Sequence, residues 1–191
     1  MLNSIIPSKA RRKVMGLFFH NPDQSYHLRR VSREVDQEIN AVKRELDILE
    51  KAKVLLKEKR LNKSVYSLNP SWLFYDEFVR IFAKNTNLVK ALLKDKAKLG
   101  KLQYLAMTLK LPKKEKIAPS EVYLLFVGIV VAQEVQKIIH SVEKEYPFEV
   151  NYTVMTKEEF GYRKKQKDPF IWEFLKEPKI MVVGSESQLM V

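Results

Sequence analysis

The sequence predicts an α+β fold built from two regions with different hydrophobic patterns. Residues 8–69 show helical periodicity that ends in two short strand-like runs, whereas residues 102–184 alternate strand-like and helix-like segments. A chain of 191 residues can bury one large core or two small ones. We therefore expect an N-terminal domain over residues 1–70, a linker helix within residues 71–98, and a C-terminal α/β domain with a mixed sheet over residues 99–191.

The first helix begins after Ser8, whose side chain can cap it, and runs to about His20. Its inner stripe consists of Ala10, Val14, Leu17 and Phe18. The run Asn21-Pro22-Asp23 is typical of a turn and ends the helix. Residues 26–28 then predict a short strand.

Two further helices follow, separated by a tight turn at Asp36 and Gln37. The inner residues of the second helix are Leu28, Val31 and Val35. The third helix covers residues 38–51, and its inner residues are Val42, Leu46 and Leu49. Because these residues fall at helical spacing, each helix buries one stripe and leaves the opposite face to solvent.

A basic hairpin closes the N-terminal region. Its predicted strands are residues 54–61 and 65–68, with Asn62, Lys63 and Ser64 at the tip. The cations on it are Lys57, Lys59, Arg60 and Lys63. Three short helices followed by such a hairpin form the element order of a winged helix-turn-helix.

The exposed face of the third helix has the side chains needed to read DNA bases. It presents Asn40, Lys43, Arg44 and Asp47. A helix fits the major groove, about 12 Å wide, where Lys and Arg reach guanine acceptors and Asn can pair with adenine. We expect Asn40, Lys43 and Arg44 to contact bases. The side chains expected to hold phosphates are Arg29, Arg30, Arg60, Asn62 and Lys63.

After Asn69-Pro70-Ser71, where Ser71 can cap a helix, the chain becomes rich in large apolar residues. They are Trp72, Phe74, Tyr75, Phe78, Phe82, Leu88, Leu92 and Leu93. This face is too wide for an isolated surface helix, so it packs between two domains or against its copy in a dimer. Residues 85–87 can interrupt the helix, and the charged residues 94–101 mark the start of the last domain.

The C-terminal region alternates strands and helices. The predicted strands are residues 102–111, 121–127, 148–153 and 179–183, with a basic loop at 113–116. The predicted helices are residues 132–145, one that opens at the capping box of Thr156 and Glu159, and one that opens at Asp168-Pro169. A polar tail follows Gly184.

The composition favours a polyanionic partner and limits the chemistry. The net charge is +12, with 15 basic and 8 acidic residues in positions 1–69 alone. The chain has no cysteine, and its three histidines lack the spacing of metal ligands, so we expect no metal and no cofactor. The longest apolar run is too short to span a membrane and no secretory signal is visible, which predicts a cytoplasmic protein.

Residues 8–69 resemble the winged-helix domain of bacterial and archaeal transcriptional regulators. EINAVKRELDILEKAKVL is similar to the recognition helix and its exit, and RLNKSVY is similar to the wing. Lys53 stands where many relatives have Gly at the helix end. The resemblance implies sequence-specific binding of double-stranded DNA, with two recognition helices of a homodimer about 34 Å apart.

Residues 99–184 resemble a minimal nucleotidyltransferase domain, above all in NYTVMTKEEFGYRKKQKDPFIWEFLKEPKIMVVG. Active members carry Gly-Ser after the first strand and paired carboxylates that hold magnesium ions. Here the chain reads Ala106-Met107-Thr108-Leu109-Lys110, and Glu121 and Tyr123 stand where the two Asp residues belong. A phenol is a poor metal ligand at neutral pH, so we expect the domain to be catalytically inactive.

Three functions follow from these observations. The first is a dimeric transcriptional regulator whose C-terminal domain serves dimerisation or senses a nucleotide or another anionic effector. The second is an antitoxin-type module that binds a protein partner through the aromatic residues between Trp72 and Phe82. The third is an active nucleotidyltransferase, which would transfer label from nucleoside triphosphates in the presence of magnesium.

Overall fold

The computed structural model describes residues 2–60 and 62–190 and confirms the α+β class. The chain divides into two compact units, Met1–Phe82 and Ala83–Val191. The first contains helices and a small antiparallel sheet, and the second a mixed four-stranded sheet with helices. None of the helices in the described residues is both long enough and apolar enough to cross a membrane.

Four helices precede the hairpin of the first unit. They are α1 (Leu2–Ile5), α2 (Lys9–His20), α3 (Leu28–Val35) and α4 (Ile39–Lys51). The Ser8 hydroxyl accepts a hydrogen bond from the Arg11 amide, which confirms the predicted cap of α2. Helix α1 was not predicted, because its four residues carry no periodic pattern.

The predicted inner stripes of α2, α3 and α4 form one core. Its fully buried residues include Val14, Phe18, Val31, Val42 and Leu46. Met15 and Phe19 of α2 are also buried, whereas Leu17 is only half-buried. The buried side of α2 is therefore wider than the predicted stripe, because α2 is covered by more than one neighbouring element.

A three-stranded antiparallel sheet completes this unit. Its strands are β1 (Tyr26–His27), β2 (Leu55–Arg60) and β3 (Lys63–Leu68), in the order β1-β3-β2. Leu28 belongs to α3 instead of the predicted first strand. Lys63 and Ser64 were predicted at the tip of the hairpin, but this prediction is wrong. They belong to β3, where Lys63 pairs with Arg60 and Ser64 with Lys59.

The sequence pattern does not predict this pairing, because the residues near the turn are polar. Strand pairing requires only backbone hydrogen bonds, so these side chains can remain in water. Asn62, between Arg60 and Lys63, has a φ of 62°, a left-handed conformation that Asn tolerates better than most residues. Leu61, the predicted end of the first hairpin strand, lies outside the described residues.

Two helices occupy the predicted linker. Helix α5 (Tyr75–Ala83) and helix α6 (Asn87–Lys94) are separated at residues 84–86, close to the predicted interruption. Thr86 caps α6 through the Val89 amide. Ser71 does not cap α5; its own amide donates to the Asn69 side chain. Within the first unit, Phe19 of α2 stacks on Phe82, with ring centroids 5.0 Å apart.

The second unit has a mixed sheet, as predicted. Its strands are β4 (Gly100–Thr108), β5 (Leu124–Val130), β6 (Tyr152–Met155) and β7 (Lys179–Val183), in the order β6-β5-β4-β7. Strands β5 and β6 are parallel, and the other pairs are antiparallel. Its later helices are α7 (Ala132–Val142), α8 (Lys157–Lys165), α9 (Pro169–Lys176) and α10 (Glu186–Met190).

Several predicted boundaries in this unit are shifted. Strand β5 begins at Leu124 instead of Glu121, and β6 begins at Tyr152 instead of Phe148. The predicted polar tail forms α10, whose Leu189 is fully buried. The caps of α8 and α9, Thr156 and Asp168, are confirmed, since each accepts a hydrogen bond from the amide three residues later.

Candidate nucleic-acid interface

Helix α4 has one face in the core and one face in water. Val42 and Leu46 are fully buried, and Leu49 is nearly so. Asn40, Lys43 and Arg44, which the sequence predicts to contact bases, are exposed. The spacing of the buried stripe fixes this rotation of the helix, because turning α4 would take its apolar residues out of the core.

The three exposed side chains are not held by the protein itself. Among the residues that the structure describes, Asn40, Lys43 and Arg44 form no hydrogen bond or ion pair. Their donors are therefore available to a ligand. This is the arrangement that major-groove contact requires, because each side chain must reach a base edge without breaking an internal contact.

A buried carboxylate that the sequence pattern did not reveal anchors α4 against α2. Glu45 is 9 % exposed, and its two oxygens accept hydrogen bonds of 2.7 Å from the Ser8 hydroxyl and the Arg11 guanidinium. The same Ser8 caps α2. One network thus fixes the start of α2 and the middle of α4, which holds the exposed face of α4 in position.

The two arginines predicted at the start of α3 differ in their surroundings. Arg29 is exposed and, within the described part of the chain, has no partner. Arg30 lies over the ring of Tyr26, 4.9 Å from its centroid, and its Nε is 3.5 Å from the Glu34 carboxylate. Arg29 is the better placed of the two to bind a phosphate.

The predicted wing residues also divide into two kinds. Asn62 and Lys63 are exposed, as is Lys59, which the sequence-based site omitted. Arg60 forms an ion pair of 2.7 Å with Glu58 on the same strand. That pair reduces the positive charge that Arg60 can offer to DNA.

Lys57 links the wing to the exposed side of α4. Its ammonium lies 5.5 Å from the ring centroid of Tyr66 and 4.0 Å from the Asp47 carboxylate. A hydrogen bond with Tyr66 raises the pKa of Lys57, so this cation persists at neutral pH. The contact places strand β2 beside α4, and brings the predicted base-reading and phosphate-binding elements together.

In the second unit, the two positions where the resemblance expects carboxylate ligands have other roles. Tyr123 is buried, its ring stacks on Phe148 at 4.9 Å, and its hydroxyl donates to the Glu115 carbonyl over 2.9 Å. Burial raises the pKa of Tyr123, so its phenol stays neutral. Glu121 lies 3.2 Å from the ammonium of Lys110.

Lys110 lies between two carboxylates. Its Nζ is 3.2 Å from Glu121 and 3.2 Å from Glu177. Burial lowers the pKa of Lys110, but hydrogen bonds to the two glutamates outweigh this effect and the pKa is raised. Over residues 2–60 and 62–190, no three His, Asp or Glu side chains are grouped so as to hold a metal ion.

A small cleft beside Lys110 is lined by Thr108, Glu121, Glu173 and Glu177, among others. The space open to the centre of a water molecule is about 20 Å³, which suits about one water. The Thr108 hydroxyl is buried and has no hydrogen-bond partner in the described chain. Three glutamates and one lysine give the cleft a mainly acidic lining.

The comparisons with known proteins give little. No protein-family model matches the sequence, and no curated protein matches it. A solved structure, Sso10a-2, a DNA-binding protein from Sulfolobus solfataricus, aligns with 47% of this chain and 94% of its own. The sequence identity is 15% and the TM-score is 0.33, a likeness that decides neither fold nor function.

Proposed function

We propose that this protein is a transcriptional regulator that binds double-stranded DNA through α4. The observation that carries the proposal is the free, polar face of α4, on which Asn40, Lys43 and Arg44 are exposed outside the buried stripe. A helical unit with a small antiparallel sheet is compatible with a winged helix-turn-helix, in which such a helix enters the major groove.

In this proposal the two kinds of contact come from different elements. Lys43 and Arg44 donate to guanine acceptors and Asn40 pairs with adenine, which gives sequence preference. Arg29, Asn62 and Lys63 bind phosphates and fix the register of α4 in the groove. Arg30 and Arg60 contribute once they leave Glu34 and Glu58, because a phosphate competes with each carboxylate.

We propose further that the regulator is a homodimer that associates through α5 and the residues before it. Leu73 is 82% exposed, Phe74 50% and Ile81 40%, although all three are large and apolar. Phe74 directly precedes α5, and Ile81 lies seven residues later, about two helical turns along, so the two lie on the same side of this segment. A second copy that covers this face would remove it from water and present two recognition helices to a symmetric site.

A protein partner of antitoxin type would use the same exposed side chains. The two alternatives predict different masses for the purified protein. Light scattering that gives twice the chain mass supports the homodimer, and a monomer that acquires a stoichiometric second protein in cells supports the partner.

For the second unit we propose a role without catalysis. Lys110 neutralises Glu121, and Tyr123 is buried in place of the second carboxylate. Two-metal phosphoryl transfer needs free carboxylates that hold the ions. Incubation with labelled nucleoside triphosphates and magnesium should give no transfer, and any transfer would contradict this proposal. Transfer that survives Glu121→Ala would show in addition that Glu121 is not part of the reacting site.

The DNA proposal is tested by the double variant Lys43→Ala with Arg44→Ala. After the bound sequence has been found by selection from random duplexes, we expect the variant to lose at least about 30-fold in affinity, since each base contact contributes about 1–3 kcal/mol. The matched control, Lys84→Ala with Lys90→Ala, removes the same charge from exposed positions. An unchanged affinity of the Lys43/Arg44 variant for the selected duplex would refute the proposed role of α4.

A further inference from the structure

The C-terminal end of α8 carries exposed positive charge that the chain does not neutralise. The residues concerned are Tyr162, Lys165, Gln166 and Lys167, called here the α8 basic turn. All four are exposed, and Tyr162 is 66% exposed despite its aromatic ring. Among the described residues, Lys165 and Lys167 form no ion pair or hydrogen bond through their side chains.

The neighbouring cations explain why the charge of the turn stays uncompensated. Arg163 binds two carboxylates, Glu159 at 3.0 Å and Asp168 at 3.5 Å. Lys164 donates to the Leu189 carbonyl over 3.2 Å and lies over the ring of Phe160. Arg163 and Lys164 therefore make contacts within the fold, whereas the side chains of Lys165 and Lys167 bind no group in the described part of the chain.

We infer that the α8 basic turn is a second DNA-binding surface, which contacts the phosphate backbone without reading sequence. This inference rests on the proposed function, because it assumes that the chain binds duplex DNA. Lysines bind phosphates as point charges, and the Gln166 amide and Tyr162 hydroxyl can donate to phosphate oxygens. The four residues of the turn include two lysines and no carboxylate, so their charge suits a polyanion better than an apolar partner. The proposed function supplies duplex DNA as that polyanion.

The test uses the full chain and a random-sequence duplex of about 40 base pairs, with affinity measured by fluorescence anisotropy over a range of salt concentrations. The slope of log K against log salt is negative, and each lost phosphate contact reduces its magnitude by about 0.9. We expect Lys165→Ala with Lys167→Ala to lower the magnitude of the slope by about 1.8. Relative to about 1 M salt, this corresponds to a loss of affinity of about 60-fold at about 0.1 M salt. Lys165→Arg with Lys167→Arg keeps both charges and should keep the slope.

A matched control distinguishes loss of the α8 basic turn from loss of two positive charges elsewhere in the second unit. Lys144→Ala with Lys176→Ala removes two exposed cations from the same unit, and its slope should stay that of the unaltered protein. An equal fall in this control would overturn the inference, as would an unchanged slope in the Lys165/Lys167 variant. Because all four positions are exposed, thermal unfolding of both variants should match that of the unaltered chain.

Both variants, Lys43/Arg44 and Lys165/Lys167, are also measured on the duplex selected for the unaltered chain, because base contacts contribute to affinity only on that sequence. The two results together distinguish this inference from the proposed function. Weaker binding only in the Lys43/Arg44 variant supports α4 and overturns the second surface. Weaker binding only in the Lys165/Lys167 variant supports the turn and overturns the role of α4. If the unaltered chain does not bind the duplex, both are overturned.

Discussion

At the scale of single residues, Lys53 shows how a charged side chain can occupy a position suited to glycine. It follows α4 with a φ of 61°, in the left-handed region. The Val54 amide donates to the Leu49 carbonyl and the Lys53 amide to the Glu50 carbonyl, the hydrogen bonds of a Schellman motif. A glycine at this position would adopt the same turn with less strain.

We therefore predict that Lys53→Gly stabilises the protein, by about 0.5–1 kcal/mol in the free energy of unfolding measured with urea. The control is Lys51→Gly, which removes the same charge inside α4 and should destabilise by about the same amount, since Gly is a poor helix former. Destabilisation by both substitutions would show that the left-handed turn is not the dominant effect.

Glu45 illustrates what a hydrophobic pattern cannot reveal about a residue. Periodicity placed Val42, Leu46 and Leu49 correctly in the core, but it treats any carboxylate as exposed. Glu45 is buried because Ser8 and Arg11, more than thirty residues earlier, satisfy it. Only the tertiary arrangement brings these partners together, so no local pattern predicts the contact.

At the scale of secondary-structure elements, the Arg60–Glu58 ion pair reduces the positive charge that the hairpin offers in the proposed DNA complex. Arg60 and Glu58 are both more than half exposed, so the pair adds little to stability. We predict that Glu58→Gln strengthens DNA binding several-fold and steepens its salt dependence by up to about 0.9, because Arg60 becomes available to a phosphate. Affinity measured at several salt concentrations tests this.

Two variants control for the loss of negative charge. Glu149→Gln removes an exposed carboxylate from the second unit and should leave DNA affinity nearly unchanged. Adding Arg60→Ala to Glu58→Gln should cancel the gain. A gain that persists without Arg60 would mean that the carboxylate itself, and not its partner, limits binding.

Elements bounded by strong local signals were predicted well from the sequence. Strand β7 has the predicted limits because Pro178 precedes it and Gly184 follows it. Helix α9 begins where Asp168-Pro169 indicated, because its cap and first turn are local features. The second half of the hairpin was placed two residues too late, since Lys63 and Ser64 show no alternation of apolar residues.

At the scale of the whole molecule, the exposed apolar side chains of the first unit predict self-association. Replacing Phe74 and Ile81 with Asp should weaken dimerisation by about tenfold or more, because charges in the contact would have to leave water. Sedimentation velocity over a range of protein concentrations measures the effect. The variant should also bind a palindromic site more weakly, and a single half-site normally.

Ile5→Asp is the matched control for this prediction. Ile5 is 76% exposed on α1, so its substitution adds a charge on a helix other than α5. We expect Ile5→Asp to leave the mass measured by sedimentation equal to that of the unaltered protein. If the unaltered chain is monomeric at all concentrations, α5 is not a dimer contact. The proposal that two copies of α4 bind a symmetric site would then be refuted.

The ammonium of Lys110 acts as a counter-ion supplied by the chain itself. The ammonium is covalently attached to the chain and lies beside Glu121 and Glu177. A divalent cation could bind these two carboxylates only by displacing it. The melting temperature should therefore be the same in millimolar magnesium and in a chelator. Lys110→Ala should melt lower, since two neighbouring carboxylates then repel each other, and magnesium should restore part of that loss.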